Sequence, residues 1–236
     1  MPDTLSLPRL QTTPSLGEQT YSVIRDAIIS LDFKPGDRLS VHRLSEDLGV
    51  SRTPVKDAFQ RLEQEGLVSV VPRTGTFVAP IEVKDIDEIL EARALIEGFA
   101  ASRAALQLSG DELARAEAVL ERMGNALKVG EVSESAEIGH EFHVIVLNKL
   151  ENDRMWSFLK QMDLQYTRIR RIFSQKASRQ NQSLKEHYDI LETLKARNGD
   201  GAYSVMFDHH WSVRDELVLA YEAKNGGNGD GGRFVD

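Results

Sequence analysis

Residues 35–78, PGDRLSVHRLSEDLGVSRTPVKDAFQRLEQEGLVSVVPRTGTFV, decide the fold of the first third of the chain. Pro35 and Gly36 cannot continue a helix, so whatever precedes them ends there. Ser40 is placed to cap a short helix, VHRLSEDL, which stops at Gly49, where a left-handed backbone is readily accommodated. A third helix opens at Ser51-Arg52-Thr53-Pro54. Ser51 is its N-cap, Pro54 sits in the first turn where the missing N–H does no harm, and Val55, Ala58, Phe59 and Leu62 share one face. Two helices joined by a short glycine-containing turn form a helix-turn-helix. Upstream, Tyr21, Ile24, Ile28 and Leu31 recur at spacings of three and four, which predicts an amphipathic helix over 17–31. Downstream of Gly66, LVSVV and TFVAP are rich in β-branched residues and flank the turn sequence Pro72-Arg73-Thr74-Gly75, which predicts a β-hairpin, or wing.

This arrangement gives the polar residues a place to act. A recognition helix in a major groove meets DNA with its N-terminal end, which here carries Ser51, Arg52, Thr53 and, one turn on, Lys56. Free N–H groups and the positive helix pole suit a phosphate, and Arg52 suits a guanine edge, where a guanidinium bonds in bidentate fashion. Arg43 and Arg73 are placed for contacts to the DNA backbone. The plainer alternative is that Ser51 and Thr53 only cap the helix and the arginines are solvated. The quoted stretch resembles the winged helix-turn-helix of GntR-type regulators through Gly-Val-Ser-Arg-Thr-Pro-Val, Leu-x-x-Glu-Gly-Leu and Gly-x-Phe-Val. The resemblance implies DNA contacts at Ser51, Arg52, Thr53, Thr74 and Gly75. Lys56 stands where an arginine is usual, which keeps the charge and loses the bidentate fork.

Beyond Pro80 the pattern becomes one of long helices, at about 84–108, 111–129, 133–149, 152–175, 181–197 and 200–223, with no strand-like alternation between them. The fold class is therefore mainly α: a winged helix-turn-helix over 13–80, then an all-α antiparallel bundle over 84–224. The glycine-rich tail 225–236 and the first dozen residues read as loose.

Five of the six histidines fall in the bundle. His143 shares a helical row with Ala136, Gly139, Val146 and Leu150; His187 with Leu184, Leu191 and Leu194; His209 with Val205, Val213 and Leu217. All three point inward, and a buried imidazole needs a hydrogen-bond partner or a metal. A satisfied core histidine is the ordinary reading of each alone. Three on separate helices suit one divalent ion, Zn²⁺, Ni²⁺ or a similar borderline cation. The bundle resembles the effector domain, of FCD type, of the FadR-like branch of GntR regulators, through Arg93-Ala94-Leu95-Ile96-Glu97, Phe142-His143, Glu186-His187 and Met206-x-x-His209. That resemblance implies a metal held by three histidines and one Asp or Asn, with the metal or a nearby arginine binding a small carboxylate. The fourth ligand is expected at position 139, which is glycine here. Either His140, the next residue, or a water is expected to fill that position, and Arg93, on the row Ile86, Leu90, Arg93, Glu97, is the expected effector ligand unless it merely pairs with Glu97. Arg168, Arg170 and Arg171, with Tyr166 beside them, read as a solvated basic face unless one of them reaches the pocket, and His42 and His210 as surface or DNA-proximal residues.

Composition sets the outer bounds. A formal charge of −8 over 236 residues does not advertise nucleic-acid binding, so the DNA reading rests on where the cations lie. The absence of cysteine excludes disulfides and thiolate metal sites. No apolar run of about 18 residues and no basic start with an apolar stretch occur, so a cytoplasmic protein without membrane contact is expected. The expected protein is a non-enzymatic homodimeric repressor on a double-stranded operator with two half-sites. A metal-dependent hydrolase built on the three histidines is the alternative, with Glu141 its weak candidate base, since no H-E-x-x-H spacing is present.

Overall fold

The computed structural model describes residues 14–173 and 176–225. The expected loose ends lie outside these residues, except Asn225, which closes the last helix. The chain divides into two compact units between Ala79 and Pro80.

The first unit runs α1 (Leu16–Ile29), β1 (Arg38–Leu39), α2 (Val41–Asp47), α3 (Arg52–Gln64), β2 (Val68–Val71) and β3 (Gly75–Val78). Its core is the set of apolar positions that helical and strand spacing bring together: Tyr21, Ile24 and Ile28 from α1, Leu44 from α2, Val55, Phe59 and Leu62 from α3, and Leu67 and Val78 around the sheet. Tyr21 donates its hydroxyl to Glu65 at 2.8 Å while the Arg61 guanidinium lies 3.7 Å above its ring. The expected hairpin is in fact a three-stranded antiparallel sheet, order β1-β3-β2. Arg38 and Leu39 pair with Phe77 and Thr76, a two-residue strand too short to show any alternation. Nor is α1 ended by Pro35 and Gly36. Leu31 turns left-handed at φ +69° and Phe33 donates to the Ala27 carbonyl, so the helix stops before the Pro-Gly pair is reached.

The second unit is all-helical: α4 (Val83–Gln107), α5 (Gly110–Lys128), α6 (Val132–Leu147), α7 (Asp153–Phe173), α8 (Ala177–Lys195) and α9 (Gly199–Asn225). Small residues set α4 against α9. A side chain at Gly98 would meet the Tyr203 ring at 3.1 Å and its carbonyl at 3.3 Å, so the close approach requires glycine. The main core gathers Ala100, Ala104, Leu120, Met123, Phe142, Val146, Leu191, Leu194 and Met206. A second cluster, including Ile86, Leu90, Tyr166, Ile169 and Leu217, extends from α4 to α7 and α9. No helix among the described residues is long and apolar enough to cross a membrane.

One part of the expected basic face is not solvated. Arg168 is 2% exposed; among the described residues its only hydrogen bond is a 3.5 Å contact to the Pro80 carbonyl, and its Nε and Nη1 have no partner. Burial pulls its pKa down to about 10, against the opposing pull of Asp85. An unsatisfied buried donor costs about 1–3 kcal/mol. An Arg168→Met protein, which keeps the length and removes the donors, is expected to be more stable by about 1–2 kcal/mol. A higher thermal midpoint checks this; a lower one would reveal a favourable electrostatic role for the guanidinium.

Candidate functional site

In the first unit the cations expected to meet DNA lie on solvent-facing backbone. Ser51, Arg52, Thr53 and Lys56 are all exposed on the first turns of α3. Ser51 is the N-cap residue, as its sequence position indicates, yet its hydroxyl makes no capping bond and stays available. Ser40, by contrast, spends its hydroxyl on the Arg43 N–H at 3.3 Å. Arg43 is exposed and 3.7 Å from Asp47, one turn away. The wing turn holds Arg73 at φ +64°, solvent-exposed, with the Thr74 N–H donating to the Val71 carbonyl. Sequence reading missed Arg38. From β1 it reaches across the turn and donates to the Thr74 carbonyl at 3.0 Å. A side chain at Gly75 would lie 3.0 Å from the Arg38 Nε, and Gly75 itself sits at φ +142°. Glycine is thus required both by conformation and by the arginine lying over it.

In the second unit the three inward histidines converge. His143 from α6, His187 from α8 and His209 from α9 are each under 10% exposed, with one ring nitrogen of each within 4.8 Å of the others. The Nε2 atoms of His143 and His187 are 3.0 Å apart. Behind them stand two carboxylates that sequence reading left without a role in the site. Glu97 on α4 accepts from His143 Nδ1 at 2.7 Å, and Glu186 on α8 accepts from His209 Nδ1 at 2.7 Å. This is the carboxylate–imidazole pairing that fixes a ring and leaves its other nitrogen free to bind. Burial pushes the Glu97 carboxyl up, but Arg93, His210 and His143 outweigh it and hold it well below the ordinary carboxylate range. Burial likewise opposes Glu186, yet His209 and Arg179 hold it at about 2. Burial lowers His143 to about 3 and His209 to about 4, and with its neighbours takes His187 well below its ordinary value. Near neutral pH all three rings are uncharged, the form a metal requires.

His210 corrects the sequence reading. It is 1% exposed and lies 3.2 Å from Glu97, so α9 buries two adjacent positions rather than one row. Arg93 is buried against Glu97 at 2.6 Å, Asp163 at 3.2 Å and the Tyr166 ring at 4.2 Å. Arg179, just outside the expected 181–197 helix, is buried against Glu186 at 2.6 Å and Ser212 at 3.0 Å. Arg170 is the least committed of the three, its contacts among the described residues being to the Ala136 carbonyl at 3.5 Å, Glu137 at 3.7 Å and the Tyr166 ring.

A cavity of about 40 Å³ lies among these groups, lined by the three arginines, His140, His143, His187, His209, His210 and Gly139, with no carboxylate from the described residues in its wall. Position 139 supplies no fourth ligand and has little room for a side chain: a Cβ there would lie 3.3 Å from the His187 ring and 3.4 Å from the Met123 sulfur, and His140 lines the wall without joining the cluster of close nitrogens. The donor set fits a borderline divalent ion, since imidazole nitrogens at 3.0 Å can share an ion at about 2.1 Å from each. Glu141, the candidate base of a hydrolase, is half-exposed and paired with Arg122 at 2.9 Å, away from the cavity wall.

A helix-turn-helix with an open, cation-bearing helix start and a wing, followed by a helical unit, is the build of a DNA-binding regulator. The chain belongs to the GntR family of bacterial regulatory proteins: residues 16–78 match that family's helix-turn-helix and residues 88–210 match the FCD domain. It is 30% identical over 213 residues to the HTH-type transcriptional regulator LutR of Bacillus subtilis, covering 81% of this chain and 96% of that one. It is 26% identical over 209 residues to the HTH-type transcriptional repressor RspR of Escherichia coli, covering 89% and 92%. Among solved structures, E. coli McbR/YncC aligns at TM-score 0.71 and 22% identity over 89% of this chain and all of that one. A GntR regulator from Rhodococcus aligns at 0.72 and 23% over 88% and all of that chain. These likenesses agree with the winged-helix and helical-bundle fold.

Proposed function

We infer that this DNA-binding transcriptional regulator is a repressor whose hold on its operator is relieved by a small carboxylate bound in the helical unit. The observation that carries the reading is the cavity wall, which presents three arginines and three neutral, convergent imidazoles and no acid. Such a wall favours an anion. His143, His187 and His209 would hold one divalent ion, which when bound supplies a Lewis-acidic centre for a carboxylate. Arg93 and His140 line the same cavity, and Arg170 has spare donors to face the anion. Leu95, Phe99 and Leu106, exposed at 50%, 40% and 68% on α4, support a second copy as partner. A homodimer reads two related half-sites of double-stranded DNA. Release requires the effector to bind the DNA-free state more tightly than the DNA-bound one.

The test is elemental analysis of the untagged protein, with thermal melts in small carboxylates with and without EDTA. One metal per chain and a rise of roughly 5–10 °C at a hundredfold excess over Kd are expected, abolished by EDTA. A carboxylate-dependent rise without metal would assign the anion to the arginines alone. No rise with any carboxylate would remove the effector half of the reading.

A further inference from the structure

The 40 Å³ cavity is about three water-sized spheres in volume, room for an ion and a carboxylate head and little else. A second cavity of about 140 Å³ shares two of its wall residues, Arg93 and His140, and continues away from the histidines between α6 and α7. Its character is different. Val144, Leu147, Trp156 and Leu159 make up half of its lining residues, Leu147 and Leu159 being 5% and 3% exposed. The change follows the helix repeat. On α7 the row Trp156, Leu159, Asp163, Tyr166, Arg170 steps by three and four from apolar to basic, and on α6 Leu147, Val144, His140 and Ala136 pass from the one chamber to the other.

We propose that the apolar chamber is the tail subsite of the effector, which is therefore a monocarboxylate carrying an aryl or branched apolar group of about benzene size. The inference rests on the anion reading of the smaller cavity, and Arg93 and His140 mark where head meets tail. An apolar cavity of about 150 Å³ accepts benzene, so the volume is sufficient. Asp163 in the wall of the larger chamber is paired with Arg93 at 3.2 Å, and a second carboxylate on the ligand would be stripped of water among Val144, Leu147, Trp156 and Leu159. That disfavours dicarboxylates. Lys160, exposed and 5.4 Å from the Trp156 ring, lies at the solvent side.

The experiment is titration calorimetry of the full chain with acetate, phenylacetate and succinate, and with benzyl alcohol as the tail without the head. Phenylacetate is expected to bind at least about tenfold more tightly than acetate, the factor that roughly 1.4 kcal/mol of buried apolar surface supplies. Val144→Phe, at a half-buried position, fills the chamber and is expected to bring the ratio near one while acetate binding persists. Leu159→Ala, which enlarges it, is expected to shift the preference toward a bulkier aryl acid. A phenylacetate-to-acetate ratio near one in the native protein, or a ratio that V144F leaves unchanged, overturns the tail subsite and leaves the anion reading standing. Tighter binding of succinate than of phenylacetate overturns it too. Failure of every carboxylate to bind overturns both.

Discussion

An E97L protein is expected to lose about 3–5 kcal/mol of stability in its helical unit, the loss typical of removing one partner of a buried ion pair. Glu97 is fully buried and touches Arg93 at 2.6 Å, His143 at 2.7 Å and His210 at 3.2 Å. Without it, Arg93 stays 2% exposed with only the half-exposed Asp163 as counter-charge. Both tryptophans, Trp156 and Trp211, lie in the helical unit, so the urea midpoint of tryptophan fluorescence follows that unit alone. The double variant R93M/E97L removes the stranded charge together with its partner and should recover most of the loss. A double variant no more stable than E97L would mean that Glu97 acts chiefly through the histidines.

Arg52→Ala should weaken binding to an operator selected from random duplexes by about 1–3 kcal/mol, roughly ten- to a hundredfold, and relax selectivity at one base pair. The side chain is exposed on the first turn of α3 and makes no ion pair within the described residues, so its removal leaves the fold intact. Lys56→Ala should instead weaken all sequences alike and lower the salt slope by about one. Fluorescence anisotropy over a range of salt distinguishes the two. A uniform loss for the Arg52 variant, with the lower slope, would move that residue from base edge to phosphate.

The winged helix was legible because its determinants are local: Ser40 caps α2, Gly49 takes φ +64°, and the α3 face repeats at helical spacing. The strand β1 was not, because two residues carry no alternation and their pairing with Phe77 and Thr76 is made across the chain. In the bundle the inward rows of His143, His187 and His209 could be read from periodicity. The burial of His210, Arg168 and Arg179 could not, because charged and polar residues go inside only where neighbouring helices supply partners or close over them. Arg179 also lies before the expected start of its helix, since α8 begins at Ala177 with no capping side chain to announce it. The carboxylates Glu97 and Glu186 stood beside recognised residues, but which imidazole each would meet is set by how α4, α6, α8 and α9 pack.

The proton order of the cluster follows from the same distances. Glu97 and Glu186 accept hydrogen bonds from the Nδ1–H groups of His143 and His209, which leaves their Nε2 lone pairs facing inward. The 3.0 Å contact between the Nε2 atoms of His143 and His187 then places the proton on His187, whose Nδ1 has no partner among the described residues. The three rings together hold two inward lone pairs and one inward proton. Any cation that enters meets that proton first, and His187 is the ring that must change tautomer to admit it.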